Sequence, residues 1–396
     1  MPDQFLPYGR HAVDEDDIEA VVDVLRSAPL TAGPKIPEFE QAFARYIGVK
    51  EAVVCSNGTA ALHLAAMAAG LQPGDVAIVP AITFLATANA VRMTGAEVCF
   101  ADVDAETGLM TPETFSAALQ QAQGPVKAVL PVHMNGQSEH MEAIRCIATE
   151  NGLKVITDCC HALGADYKEG GKPGDGKYED MATFSLHPVK SIAMGEGGFI
   201  VTNDEQLAHQ MRLLRSHAME KDPEQWQRDA GFDSEGAANP WYYEMQMLAY
   251  NYRATDMQCA LGLSQLKKLD NFIASRRKIA DLYDKAFAGM SNSVKPVRRS
   301  VDCVSAWHLY VVQFDFEAIG LERAALMKKL QSLGVGTQVH YVPVSSQPYY
   351  VERYGRQDMP GAESYYAGIL SLPIFPAMTS ADVEHVVGTI NSVIRG

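Results

Sequence analysis

The chain has 396 residues, of which 47% are hydrophobic and 20% charged, which is long enough for one large domain and a smaller one and too apolar for a disordered protein. A formal net charge of −15 makes it a poor candidate for binding nucleic acid or an anionic membrane surface. The seven cysteines include no CxxC pair, which favours free thiols in a reducing compartment. We see no signal peptide and no apolar run of membrane-spanning length, so we expect a cytoplasmic protein.

The first predicted element is a helix over residues 14–26, where apolar side chains recur at helical spacing after an acidic first turn. A loop containing proline and glycine follows, and then short apolar runs alternate with helical stretches. The predicted strands cover residues 52–55, 76–80, 97–103, 126–132, 153–158, 182–186 and 199–202, and helices near 60–70, 86–94, 112–122 and 138–151 separate the first five. This alternation predicts an α/β fold with a mostly parallel sheet covered by helices on both faces. Because the last two strands are joined by a short connection, one of them is expected to run antiparallel.

The C-terminal part is predicted to begin with a long bridging helix over residues 255–287. A strand (308–314), a helix (323–333), a second strand (335–341) and a final helix (380–394) follow. We therefore expect a large domain over residues 1–254 and a smaller α+β domain over residues 255–396.

Lys190 lies in a glycine-rich turn between the last two predicted strands. A lysine at such a turn can be desolvated, lose its proton and act as an amine nucleophile. A lone lysine is far more often a solvated surface charge, so this interpretation depends on what surrounds it.

Two segments at other predicted strand ends supply complementary groups. The run Ser56-Asn57-Gly58-Thr59 follows a strand and opens a helix, so its backbone N–H groups are placed to bind a phosphate, although an ordinary strand-to-helix turn has the same pattern. Asp158 ends a later strand, where it is either a helix cap or a buried carboxylate awaiting a cation such as a protonated pyridine nitrogen.

Four further side chains complete the pattern. On a continued strand Ser185 and His187 would share one face, turned towards the target of Lys190, and Ser185 could donate to a phosphate. Phe84 is a candidate aromatic plate and His161 a stacking or hydrogen-bonding partner for a flat ligand, though core packing explains either one alone. Pyridoxal phosphate requires a lysine for its Schiff base, a carboxylate at its ring nitrogen, a phosphate-binding site and an aromatic side chain that stacks on its ring.

The order of these motifs resembles the DegT/DnrJ/StrS family of pyridoxal-phosphate-dependent nucleotide-sugar aminotransferases along nearly the whole chain. The motifs that carry the resemblance are Leu30-Thr31-x-Gly33-Pro34, Ser56-Asn57-Gly58-Thr59, Asp158-x-x-His161-Ala162-Leu163-Gly164, Phe184-Ser185-x-His187-Pro188-x-Lys190, Gly195-Glu196-Gly197-Gly198 and Asn251-Tyr252-Arg253. The resemblance implies an aspartate-aminotransferase-like fold (fold type I) that acts as a homodimer with shared active sites.

It also implies a role for each matched residue. Lys190 would hold the cofactor as a Schiff base and shuttle protons with His187 nearby, Asp158 would pair with the pyridinium, and Phe84 and His161 would flank the ring. The phosphate would be bound by Gly58, Thr59 and Ser185, with Asn251 supplied by the partner subunit.

Within the family the resemblance is strongest to the branch that aminates C4 of a UDP-linked 4-keto-6-deoxy-N-acetylhexosamine with L-glutamate, in pseudaminic acid biosynthesis. Tyr8, Thr31, His340 and Tyr341 would then be substrate contacts. Transfer to another nucleotide 4-ketosugar, such as the GDP-linked precursor of perosamine, is the alternative within the class.

Other classes fit the sequence less well. A dinucleotide-dependent dehydrogenase is disfavoured because no GxGxxG follows a predicted strand, and a metal enzyme because the 11 histidines are scattered without an HExxH or Cys/His cluster. A non-catalytic protein that binds the cofactor as a regulator is disfavoured because Lys190, Asp158 and Ser185 are all present.

Overall fold

The structure is a computed structural model and describes residues 5–27, 29–290 and 293–395. The helices are α1 Glu15–Ser27, α2 Lys35–Ile47, α3 Gly58–Ala68, α4 Leu85–Met93, α5 Pro112–Gln121, α6 Met141–Glu150, α7 Glu205–Arg215, α8 Asp256–Leu266, α9 Leu269–Phe287, α10 Phe316–Ile319, α11 Arg323–Ser332, α12 Pro348–Tyr354, α13 Pro360–Gly368 and α14 Ser380–Arg395. The strands are β1 Glu51–Cys55, β2 Val76–Pro80, β3 Glu97–Ala101, β4 Val126–Val129, β5 Lys154–Asp158, β6 Asp166–Tyr167, β7 Met181–Ser185, β8 Gly198–Thr202, β9 Met219–Glu220, β10 Glu244–Met245, β11 Val294–Pro296, β12 Cys303–Val304, β13 Tyr310–Phe314 and β14 Ile369–Leu372.

The main sheet has the strand order β1-β8-β7-β5-β4-β2-β3. All neighbours in it run parallel except β8, which is antiparallel to both β1 and β7. The predicted parallel sheet and its one antiparallel strand are therefore confirmed. Because β1, β2, β5 and β7 point the same way, the residues that follow them meet at one edge of the sheet.

Burial explains why these segments form strands. The strands β2 and β8 are buried along their whole length, and helices pack over the two faces in separate apolar cores. Near-continuous apolar runs are typical of strands covered on both sides. A smaller antiparallel sheet, β11-β13-β14, has its own core against α9, α11 and α14.

The prediction of one helix over residues 255–287 is wrong, because the chain turns at Lys267–Lys268 and forms α8 and α9. The two helices bury different partners: α8 packs on α1 and α2, whereas α9 packs on α14. The Lys268 ammonium is 2.9 Å from the buried carboxylate of Asp17, which fixes the turn against α1.

The prediction of a strand over residues 335–341 is also wrong. The segment makes only isolated bridges, from Val335 to Leu6 and from Gln338 to Ser371, because it passes between the N-terminal segment and β14. Leu6 shares the apolar core of the C-terminal sheet, so the first described residues pack on the later part of the chain. The division at residue 254 stays a prediction. In the described ranges no helix combines the length and the apolar character needed to cross a membrane.

Candidate active site

A cavity of about 770 Å³ lies at the carboxyl edge of the main sheet. The predicted site residues that line it are Tyr8, Gly58, Thr59, Phe84, Asp158, His161, Ser185, His187, Lys190, His340 and Tyr341. The fold thus brings together residues from strand ends that are far apart in the chain. A larger cavity of about 1080 Å³ lies along β3, at the opposite end of the sheet order from β1, and none of the predicted site residues lines it.

Asp158 is the last residue of β5 and is 5% exposed. Its Oδ2 accepts a hydrogen bond from the Thr87 hydroxyl at 2.7 Å, and its Oδ1 accepts one from the Cys160 N–H at 3.1 Å. The Thr83 hydroxyl lies 2.7 Å from that of Thr87. Over the described residues no cationic side chain pairs with Asp158 at ion-pair distance. A buried carboxylate with two donors and no cation fits a protonated ring nitrogen.

Lys190 is partly buried in the turn after β7, and its Nζ lies 3.4 Å from His308 Nε2. Burial lowers the pKa of the Lys190 amine, while Cys160 and Asp158 nearby act in the opposite direction. No carboxylate of the described chain forms an ion pair with it at 4 Å or less. The amine therefore has the desolvated setting that favours a nucleophile.

The predicted phosphate cradle is the N-terminus of α3, beside Ser185. Asn57 caps the helix by accepting a hydrogen bond from the Ala60 N–H at 2.8 Å. A Cβ added to Gly58 would lie 2.9 Å from the Ser185 Cβ, so only glycine leaves room between helix and strand. The free N–H groups of a helix start and an adjacent serine hydroxyl fit a phosphate.

Aromatic groups border the cavity. Phe84 is 54% exposed, and its ring centroid lies 5.7 Å from that of Tyr341. The Tyr341 hydroxyl lies 3.2 Å from His161 Nε2, and the buried Nδ1 of His161 has no partner in the described chain. An exposed aromatic ring and an incompletely bonded imidazole that line the same cavity fit a flat, polar ligand.

A segment from the C-terminal part of the chain, residues 338–341, also lines the cavity. His340 Nδ1 lies 2.7 Å from the Ser371 hydroxyl, and its ring centroid is 5.4 Å from that of Tyr8. Burial, with a smaller effect of Lys190, lowers the pKa of His340 to about 3. Burial raises the pKa of Tyr341. Both side chains are thus neutral hydrogen-bonding groups.

His187 needs a correction, because β7 ends at Ser185 and His187 lies beyond it. The two residues do not share a strand face, although both line the cavity. The His187 side chain is exposed, and its Nδ1 is 3.5 Å from the Val189 N–H.

Two predicted residues do not line the cavity of their own chain. Thr31 is exposed and forms a backbone bridge with Thr255, and Asn251 is exposed and bridges to Ser216. Both segments are held at the surface, so neither side chain is placed to reach this cavity from within the same subunit.

Sequence reasoning missed Thr83, Thr87 and His308, and it gave Asn57 no role of its own within the Ser56-Asn57-Gly58-Thr59 run. Thr83 lies two residues before α4 and Thr87 in its first turn, and their hydroxyls meet at 2.7 Å. His308 carries no local signal, since it stands at the entrance to an apolar strand where a core histidine is the ordinary interpretation.

Comparisons with known proteins agree with this geometry. Residues 11–391 match the DegT/DnrJ/EryC1/StrS aminotransferase family. The spore coat polysaccharide biosynthesis protein SpsC of Bacillus subtilis is 39% identical over 395 residues, covering 99% of this chain and 98% of that protein.

Among solved structures, PseC of Helicobacter pylori, an aminotransferase involved in the biosynthesis of pseudoaminic acid, has a TM-score of 0.87 at 27% identity over 99% of this chain and 100% of its own. The protein Spr1654 of Streptococcus pneumoniae, in its PLP form, has a TM-score of 0.86 at 26% identity over 99% of both chains. The chain belongs to the DegT/DnrJ/EryC1/StrS family and is a pyridoxal-phosphate-dependent sugar aminotransferase of fold type I.

Proposed function

We propose that this member of the family transfers the amino group of L-glutamate to C4 of a UDP-linked 4-keto-6-deoxy-N-acetylhexosamine, forming UDP-4-amino-4,6-dideoxy-N-acetyl-β-L-altrosamine for pseudaminic acid biosynthesis. The likeness to PseC over the whole length of both chains supports this choice of sugar. The compartment, the cytoplasm, is a prediction from the sequence.

The observation that carries the proposal is that Lys190 and Asp158 line one cavity and that neither forms an ion pair within 4 Å in the described chain. Pyridoxal phosphate would be held by Lys190, by Asp158 at its ring nitrogen and by Gly58, Thr59 and Ser185 at its phosphate. When bound, it supplies an electron-withdrawing ring that makes the Cα–H bond of an amino acid acidic.

The protein's own groups then position and move protons. The Lys190 amine takes the proton from Cα of glutamate and later returns one to C4 of the sugar. Phe84 and His161 keep the ring plane fixed, and His187, at the open side of the cavity, is the second acid–base candidate. Over the full cycle glutamate becomes 2-oxoglutarate and the keto group becomes an amine, so atoms balance.

Tyr8, His340 and Tyr341 are the proposed contacts to the sugar, because they line the same cavity as the residues proposed to hold the cofactor. No arginine of the described residues lines the cavity. The nucleotide diphosphate would therefore be bound by neutral donors and by groups from a second subunit, among which we place Thr31.

We also propose a homodimer with shared active sites, in which Asn251 reaches the partner's phosphate cradle. Before Asn251 the chain exposes several large apolar side chains, among them Trp241 (73%), Met245 (64%) and Leu248 (81%), whose burial by a second copy would be favourable. The variants Lys190→Ala and Asn251→Ala, each expected to be inactive, can be mixed so that their subunits exchange. Random pairing makes about half of the dimers heterodimers with one intact site out of two, so about one quarter of wild-type activity should return. Absence of recovery after proven exchange would contradict shared sites.

The test of the reaction is spectroscopic. The protein with cofactor should show a visible absorbance band that glutamate bleaches, and Lys190→Ala should lack the band. A wild type that binds no cofactor would refute the proposal, and a stable band unaffected by glutamate would instead indicate a regulator. Product from a GDP-linked but not a UDP-linked 4-ketosugar would overturn the choice of sugar while leaving the aminotransferase activity intact.

A further inference from the structure

The Lys190 amine has a partner that the family motifs did not indicate. Its Nζ lies 3.4 Å from Nε2 of His308, which is the one side-chain hydrogen bond that the amine forms in the described part of the chain. The two residues are 118 positions apart, since Lys190 follows β7 and His308 precedes β13. The contact therefore joins the main sheet to the C-terminal part of the protein.

His308 is rigidly held. Its side chain is 4% exposed, and its ring lies 4.4 Å from that of His161. Its carbonyl accepts a hydrogen bond from the buried guanidinium of Arg276 at 3.3 Å, and the same guanidinium nitrogen also binds the carbonyls of Trp307 and Ile374. A buried arginine bonded to three carbonyls fixes the backbone from which the imidazole projects.

The two ring nitrogens of His308 differ in their hydrogen bonding, and Nε2 is the one that faces the Lys190 amine. His308 Nδ1 is buried and has no hydrogen-bond partner in the described chain, so Nε2 is the only ring nitrogen in use. Leaving a buried polar atom unpaired is costly, so such an atom calls for an explanation. The groups that face His308 are Lys190, His161, His340 and Arg276; burial, followed by the positive charge of Lys190, lowers its pKa well below the usual range.

We propose that His308 is a positioning residue, a neutral hydrogen-bond partner that holds the free amine of Lys190 at the reacting carbon during turnover. A carboxylate in this place would bind the ammonium form and keep the lysine protonated, whereas a neutral imidazole accepts from an amine N–H or donates to its lone pair. A four-carbon side chain without any partner would lose its position between successive proton transfers. The inference rests on the proposed role of Lys190.

Two amide substitutions at His308 separate the effect of losing the hydrogen bond to Lys190 from the effect of losing the imidazole ring. The amide nitrogen of His308→Gln falls near the position of Nε2, whereas that of His308→Asn falls near Nδ1 and cannot reach Lys190. In single-turnover reactions with glutamate, we expect the rate constant to fall about tenfold in the His308→Asn variant, which corresponds to about 1.4 kcal/mol, with little change in glutamate affinity. The His308→Gln variant should retain most of the wild-type rate.

A second readout uses the protein without cofactor. The pH dependence of Lys190 acylation, followed by peptide mass spectrometry, should be altered in the His308→Asn variant and close to wild type in the His308→Gln variant. Equal behaviour of the two variants in both measurements would overturn the proposal.

The last control is a double-mutant cycle. In Lys190→Ala protein rescued by ethylamine, His308→Asn should cause no further loss, because its partner is gone; an undiminished loss there would mean that His308 acts elsewhere. If Lys190→Ala alone keeps the visible band and the activity, the proposed function fails, which is a different outcome from a failure of His308.

Discussion

Thr87 gives the sharpest test of the geometry around Asp158. Its hydroxyl is fully buried and donates to Asp158 Oδ2 at 2.7 Å, so the Thr83 hydroxyl, 2.7 Å away, must donate to Thr87. Thr87→Val keeps the shape and removes both interactions. Thr87→Ser keeps the hydroxyl and is the matched control.

The magnitude follows from the charge of the acceptor. A hydrogen bond to an ionised group contributes about 1.5–3 kcal/mol, and the hydroxyl of Thr83, which is 1% exposed, loses its acceptor as well. We expect the unfolding free energy of the cofactor-free Thr87→Val protein, measured by urea denaturation, to fall by about 2–4 kcal/mol. The Thr87→Ser variant should lose about 1 kcal/mol or less, for one buried methyl group.

A double-mutant cycle with Asp158→Asn isolates the charged hydrogen bond. A neutral amide oxygen accepts a bond worth about 0.5–1.5 kcal/mol, so the effect of Thr87→Val should shrink by about 1–2 kcal/mol when the Asp158→Asn substitution is already present. The contribution of Thr83 is the same in both backgrounds and cancels. A coupling energy near zero, or equal losses for valine and serine, would refute the reasoning.

Two further predictions concern Gly58 in the predicted phosphate site and His340 in the cavity lining. The Gly58→Ala substitution places a Cβ 2.9 Å from the Ser185 Cβ and should sharply reduce cofactor affinity in an absorbance titration. The control is Gly388→Ala, whose added Cβ has nothing within 4 Å and should leave the affinity unchanged. Equal affinities of the two variants would contradict the proposed phosphate site at Gly58. His340 has a pKa of about 3 when folded against an ordinary value of 6.5, so below pH 6.5 the unfolded chain binds the proton first. As the pH decreases from 6.5 to 3, His340 alone therefore lowers the unfolding free energy by about 1.4 kcal/mol per pH unit. The His340→Asn variant, whose amide can still reach Ser371, should reduce the measured slope by that amount between pH 6.5 and 3 in pH-dependent denaturation. An unchanged slope would show that His340 is not kept neutral by the fold.

The sequence predicted the main sheet well because its strands are local patterns. The segments 76–80 and 199–202 are apolar runs bounded by turn residues, and such runs form strands wherever both faces are covered. The error at residues 255–287 arose for the converse reason. Helical periodicity continues across Lys267–Lys268, and the break depends on two different packing partners that no local pattern records.

The candidate site shows the same division. Lys190, Asp158 and Gly58 could be predicted because each combines a reactive or permissive residue type with a strand end, and parallel strands bring their carboxyl ends to one edge. The sequence by itself therefore determined the sheet, the edge at which the cavity lies and the candidate amine, Lys190, that lines it. Only the tertiary structure decided which side chains support that chemistry, because Thr87 meets Asp158 across 71 positions and His308 meets Lys190 across 118. Contacts at such separations depend on how whole elements pack, and that packing is fixed by the total burial of the fold rather than by the spacing of neighbouring residues.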